Sequence, residues 1–163
     1  MGQSSYKNLD GRAVLIAGLG GGTLFLLVVL LFTPLVLGVD TSLILRYFAS
    51  LVQGSDVLTE SNNATLAVGI LVHYGLSLLF ALVIAIVIHR WGLWVGIIGG
   101  ALMGLAIYAI NFYTMTVFFP WFFAINNVVL MVGHMVYGAV TGGIYETFDH
   151  YDLPLRSVEE VQA

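Results

Sequence analysis

Four long apolar runs, 13–38, 64–88, 92–118 and 124–145, take up most of this chain, and its polar residues are gathered between and beyond them. Each run reaches the roughly 20 residues needed to cross about 30 Å of hydrocarbon. At that depth no water satisfies backbone N–H and C=O groups, so the runs are predicted as helices. The expected fold is all-α and integral to the membrane: a four-transmembrane-helix bundle over 13–145, with an N-terminal tail at 1–12 and a C-terminal tail at 146–163. The first apolar run is far longer than the 7–15-residue core of a signal peptide, so it reads as a retained span.

The breaks carry their own patterns. In the longest, 39–63, Asp40-Thr41-Ser42 offers a helix N-cap, and Leu43, Ile44, Tyr47, Phe48, Leu51 and Val52 recur near helical spacing before Gly54 offers a stop. This predicts a short amphipathic helix lying in the membrane interface, with a packing cap over the bundle as the alternative. The second break is only about three residues around His89-Arg90-Trp91, which predicts a tight antiparallel hairpin between spans two and three and an interfacial anchor at the turn. The third break, Phe118 to Phe123, is nearly all aromatic and reads as an interfacial belt. From Glu146 onward the chain is acidic and is expected to fray.

Composition agrees with the pattern. Hydrophobic residues make up 60% of the chain and charged ones 9%, against about 25% charged in soluble domains. A net charge of -4, carried mostly in the tails, gives no surface for nucleic acid. There is no cysteine, which removes thiolate nucleophiles, disulfides and Cys-ligated metal sites. Lys7, Arg12, Arg90 and Arg156 fall on the side of the termini and Arg46 alone on the other. By the positive-inside rule both termini are cytoplasmic, and the expected location is a bacterial inner membrane. The match of Asn63-Ala64-Thr65 to a glycosylation acceptor is read as chance.

Two internal echoes suggest duplication. A shift of 64 residues carries Asn62, Asn63, Leu66, Val68 and Gly69 onto Asn126, Asn127, Leu130, Val132 and Gly133; a shift of 78 carries Gly18, Gly21, Gly22 and Leu24 onto Gly96, Gly99, Gly100 and Leu102. The expected plan is two helical hairpins in parallel repeat. The asparagine pairs are expected as helix N-caps, with a polar ring at a pore mouth as the functional alternative. Gly18–Gly22, Gly96–Gly100, Gly100–Gly104 and Gly138–Gly142 are small-xxx-small pairs, suited to close helix packing within the bundle or against a partner subunit.

The spans contain no Asp, Glu, Lys or Arg at midplane depth, which argues against an ion-coupled pump or voltage sensor. Their polarity comes down to His73, His134, Asn111 and hydroxyls. Both histidines lie near the middle of parallel spans and could ligate a haem b or pigment; otherwise each neutral imidazole hydrogen-bonds a neighbour. A two-haem arrangement using His89 and His150 fails, because 16 residues rotate a helix by about 160° beyond whole turns. No catalytic triad, P-loop, dinucleotide fingerprint or HExxH motif is present, so no enzyme is expected. The first expectation is a non-catalytic subunit or assembly protein of a larger membrane complex, respiratory or otherwise energy-converting, contacting lipid, other membrane subunits or its own copies. A haem- or pigment-binding electron carrier and a small oligomeric channel are the alternatives.

Overall fold

The computed structural model describes residues 9–59 and 62–149. Among them there is no strand, and four helices are long and apolar enough to cross a membrane. Lys7, His150 and the acidic residues beyond His150 lie outside the described residues.

Helix α1 runs Gly11–Leu37. Its N-cap is Asp10, whose carboxylate accepts from the amides of Arg12 and Ala13 at 2.7 and 3.3 Å. Gly38, with φ at 67°, turns the chain out of the helix. Helix α2, Thr41–Gln53, is capped by Asp40 on the Ser42 amide at 2.7 Å and ends at Gly54, φ 86°. A 3-10 turn, Ser55–Leu58, follows. Helix α3, Asn63–Ile88, is capped by Asn62, and its partner α4, Leu93–Tyr113, gives way at Thr114 to a one-turn helix α5, Met115–Phe118. After the 3-10 segment Pro120–Ile125, helix α6 runs Val128–Asp149. Asn127 caps it, accepting from Val129 and Leu130. Asn62 and Asn127 therefore act as caps at the two starts where the sequence pairs its asparagines.

Helix α6 is the centre of the bundle, packed along α4 on one side and α1 on the other; α3 lies against α1, and α2 against α3. The α4–α6 seam is a backbone-to-backbone contact. A Cβ on Gly100 would overlap the Gly138 carbonyl, one on Gly104 the His134 carbonyl, and one on Gly142 the Gly96 carbonyl. Dispersion between backbones replaces the missing hydrophobic drive in lipid. On α1, Gly18 meets Leu78 and Ala81, and Gly22 meets Ser77.

The outward faces are apolar: Leu35 is 79% exposed and Leu71 72%. Contiguous apolar exposure on this scale suits hydrocarbon as the surrounding solvent.

Three expectations are corrected. Spans two and three are joined by a short turn but do not form a tight hairpin: α3 and α4 meet only slightly. The reason lies in their small-residue faces, which point elsewhere, α4 toward α6 and Ser77 of α3 toward α1. The C-terminal tail does not begin at Glu146; α6 continues to Asp149, and Glu146 is buried. Its carboxylate accepts from the Gly92 amide at 2.9 Å, closing the turn onto α6. Finally, His89 is buried against Tyr145 of α6, whereas Arg90 and Trp91 are exposed. Of the two readings of α2, the packing cap matches: Ile44, Tyr47, Ala49 and Ser50 are buried, and the Leu45 carbonyl sits against Gly69 of α3.

Candidate functional site

Because α3 and α4 diverge, a gap opens between them that α1 and α6 back and α2 covers. It forms a chamber of about 370 Å³, and all six helices contribute to its wall. Its lining includes Leu79 and Ile110, which are 55% and 57% exposed on the α3 and α4 outer faces. The chamber therefore opens sideways, onto the apolar outer face between α3 and α4.

Both intramembrane histidines line it, together with Asn111. His73 Nε2 lies 2.9 Å from the Gly22 carbonyl. A carbonyl only accepts, so Nε2 carries the proton and Nδ1 of the neutral ring keeps its lone pair. His134 is the reverse case. Its Nδ1 donates to the Leu130 carbonyl at 2.7 Å, so Nε2 is the acceptor, with Asn111 Nδ2 at 3.4 Å. That tautomer fixes the Asn111 carboxamide with its N–H toward His134. The amide oxygen, Oδ1, has no partner among the described residues.

Phe25 of α1 touches both imidazoles. It stacks nearly parallel on His73, centroids 5.7 Å apart, and meets His134 edge-on at 4.7 Å. Phe48 of α2 approaches His73 from the covering side at 5.0 Å. Two hydrogen bonds tie the walls together: Ser77 Oγ donates to the Gly18 carbonyl at 2.7 Å, and the Tyr137 hydroxyl to the Ser77 carbonyl at 2.6 Å. The cover is pinned where Trp121 Nε1 donates to Ser50 Oγ at 2.9 Å. Tyr47, on the cover, lines the chamber, and its hydroxyl has no hydrogen-bond partner among the described residues. Burial pushes its pKa up, so it stays a neutral donor.

Set against protein-family models, curated proteins and solved structures, the chain matches none.

The structure brings His73 and His134 to one chamber, as their depths in the spans suggest. His73 Nε2 is held by α1 and His134 Nε2 faces Asn111 of α4, so ligation through His134 Nε2 would displace Asn111, while the lone pair of His73 lies on Nδ1. The glycines Gly18, Gly22, Gly96, Gly100, Gly104, Gly138 and Gly142 all face neighbouring helices of the same chain. Asn126 accepts from the Tyr108 hydroxyl at 2.6 Å.

Phe25, Tyr47, Phe48, Ser77 and Tyr137 also line the chamber, and no sequence motif marks them for it. One signal was present: His73–Ser77 on α3 and Gly18–Gly22 on α1 share a spacing of four, and the structure pairs them across the helix contact.

A second polar group lies at the other end of the bundle. His89 Nδ1 is 2.7 Å from the Tyr145 hydroxyl and 3.3 Å from Asp149 Oδ2. With Glu146 on the Gly92 amide, it fastens the α3–α4 turn to the last turns of α6. Among the described residues no group of three or more His, Cys, Asp or Glu is arranged to hold a metal ion.

Proposed function

We propose that this is a non-enzymatic integral membrane protein that holds a small lipid-soluble molecule in the chamber, admitted sideways from the bilayer between α3 and α4. The observation that carries the proposal is the chamber itself. Its roughly 370 Å³ falls within the range of small-molecule sites, its walls are mostly apolar, and its few polar groups converge from α2, α3, α4 and α6. No Asp, Glu, Lys or Arg lines it, so the occupant is uncharged.

The role within a larger assembly changes accordingly. An auxiliary subunit of an energy-converting membrane complex remains a fitting setting, but the glycine stripes do not speak for it, since they are buried inside this bundle. The working element is the chamber and not a partner-facing seam. The charge distribution supports cytoplasmic termini, with the cover helix α2 on the opposite side. The contacts of Gly18 and Gly22 with α3, and of Gly96 and Gly100 with α6, support an origin in two related hairpins.

A hydrophobic diazirine photoprobe in protein-loaded nanodiscs tests the reading. Labels mapped by peptide mass spectrometry should reach Leu76, Phe80 and Ile107 inside the chamber as well as the lipid-facing Leu71 and Leu102. In Leu79→Trp, which narrows the mouth, the inner labels should fall while the outer ones persist. Labelling confined to the outer positions in the wild-type protein would refute the chamber as a binding space.

A further inference from the structure

We infer that the molecule held in the chamber is a hydroquinone-type ring carrying an apolar tail, with its hydroxyls bonded by Asn111 and His73. This inference rests on the chamber reading above and adds the chemical class of the ligand.

The wall chemistry narrows the ligand stepwise. Seven of the lining side chains are Phe or Tyr, and two more are imidazoles. Such walls favour a flat ring, because offset and edge-on aromatic contacts stabilise it beyond simple burial. A plain acyl chain would gain no such term. With no charged side chain in the lining, fatty acids and cationic amphiphiles would be left as unpaired ions.

The polar atoms then read as a pattern. The His134 tautomer, fixed by the Leu130 carbonyl, turns the Asn111 amide so that its N–H faces His134 and its oxygen is left over. The His73 tautomer, fixed by the Gly22 carbonyl, leaves Nδ1 as an acceptor. Two protein acceptors ask for a ligand with two O–H donors. The Tyr47 hydroxyl is a donor, and a ring hydroxyl oxygen can accept from it. A hydroquinone offers two hydroxyls on one flat ring. The corresponding quinone has two acceptors and no donor, so the oxygen of Asn111 and Nδ1 of His73 would both go unmet. Sites built to bond a hydroxyl reject the analogue that lacks it, because their buried polar groups stay unpaired.

The tail has an exit. The mouth between Leu79 and Ile110 opens to lipid, so the ring can be enclosed while its chain stays in the bilayer. No redox step is assigned; the inference concerns binding and the preference for the reduced form.

The test uses the full chain in phosphatidylcholine nanodiscs, with decylubiquinol kept reduced under argon and decylubiquinone as its oxidised counterpart. Bound probe is measured by chromatography after equilibrium, against empty nanodiscs. The expected result is saturable binding of the quinol, one per chain, at least tenfold tighter than the quinone. Asn111→Leu should bring quinol affinity down to the quinone level, and Asn111→Ala should do the same if the larger residue prevents folding. Tyr47→Phe should weaken both forms. Equal binding of the two forms, or undiminished quinol binding in the Asn111 variants, overturns the inference. So does binding of neither form while the photoprobe still labels the chamber, and that result leaves the chamber reading standing. Failure of the photoprobe to enter the chamber removes both.

Discussion

The Tyr137 hydroxyl donates to the Ser77 backbone carbonyl at 2.6 Å, joining α6 to α3 across the wall of the chamber. Both residues line the space, and Ser77 in turn bonds α1 through Gly18. One line of hydrogen bonds thus holds three helices in place around the chamber. Tyr137→Phe removes the bond but keeps the ring. Side-chain hydrogen bonds between membrane helices average about 0.6 kcal/mol, so the loss in thermal stability should be small. Tyr137→Ala also removes a buried ring and should cost about 3–5 kcal/mol. Thermal unfolding in one mild detergent compares the two.

Gly100 and Gly138 face each other so closely that a Cβ on either meets the other's carbonyl. Gly100→Leu and Gly138→Leu should therefore separate α4 from α6 and lower stability by at least the roughly 1–3 kcal/mol typical of overpacking. Gly75 is the control. It is exposed on α3, and a Cβ there would meet nothing within 4 Å, so Gly75→Ala should be neutral or slightly stabilising. The seam is internal, so the loss should appear in unfolding of the single chain and not only in the size of an oligomer.

Asp40 caps α2 by accepting from the Ser42 amide, and its pKa is lowered by the Ser42 hydroxyl, by that amide bond and by the field of Arg46. For a carboxyl whose folded pKa is depressed, the linked stabilisation is present above the unfolded pKa and is lost as pH falls through the folded one. The Ser42 amide resonance should therefore titrate with a midpoint below the ordinary aspartate value of about 3.9. Asp40→Asn keeps a good cap and should abolish that titration. A midpoint at or above the ordinary value would refute the cap as the cause.

The chain has no cysteine, so single cysteines report sidedness cleanly. Asp56→Cys, in the exposed 3-10 turn after α2, should react with a membrane-impermeant maleimide in intact cells. Trp91→Cys, in the exposed turn between α3 and α4, should react only after lysis. The reverse pattern would invert the proposed orientation.

Much of the frame was legible in the order of residues. The apolar runs give the four long helices, and Asp40, Gly54, Asn62 and Asn127 mark where helices start and stop. These are local signals, set by hydrogen bonds within a few residues. What depends on which faces meet was not legible. The short turn at His89 to Gly92 implied adjacent helices, but adjacency in chain does not fix which face packs. The glycines of α4 select α6, and the gap this leaves beside α3 is the chamber. Glu146 read as tail because a carboxylate after an apolar run is normally solvated. Its burial depends on the Gly92 amide, 54 positions earlier in the chain. His73 and His134 stand out in the sequence as the intramembrane imidazoles, yet their tautomers follow from the Gly22 and Leu130 carbonyls, which no sequence pattern displays.

The most direct measurement is organic extraction of the protein purified in mild detergent, with the extract quantified by mass spectrometry beside Leu79→Trp and Leu71→Trp. Leu79 borders the mouth, whereas Leu71 faces lipid away from the chamber lining. One uncharged lipid-soluble molecule, near one per chain, is expected in the wild-type protein and in Leu71→Trp, with its depletion in Leu79→Trp. An extract holding only bulk lipid, identical in all three proteins, would contradict it.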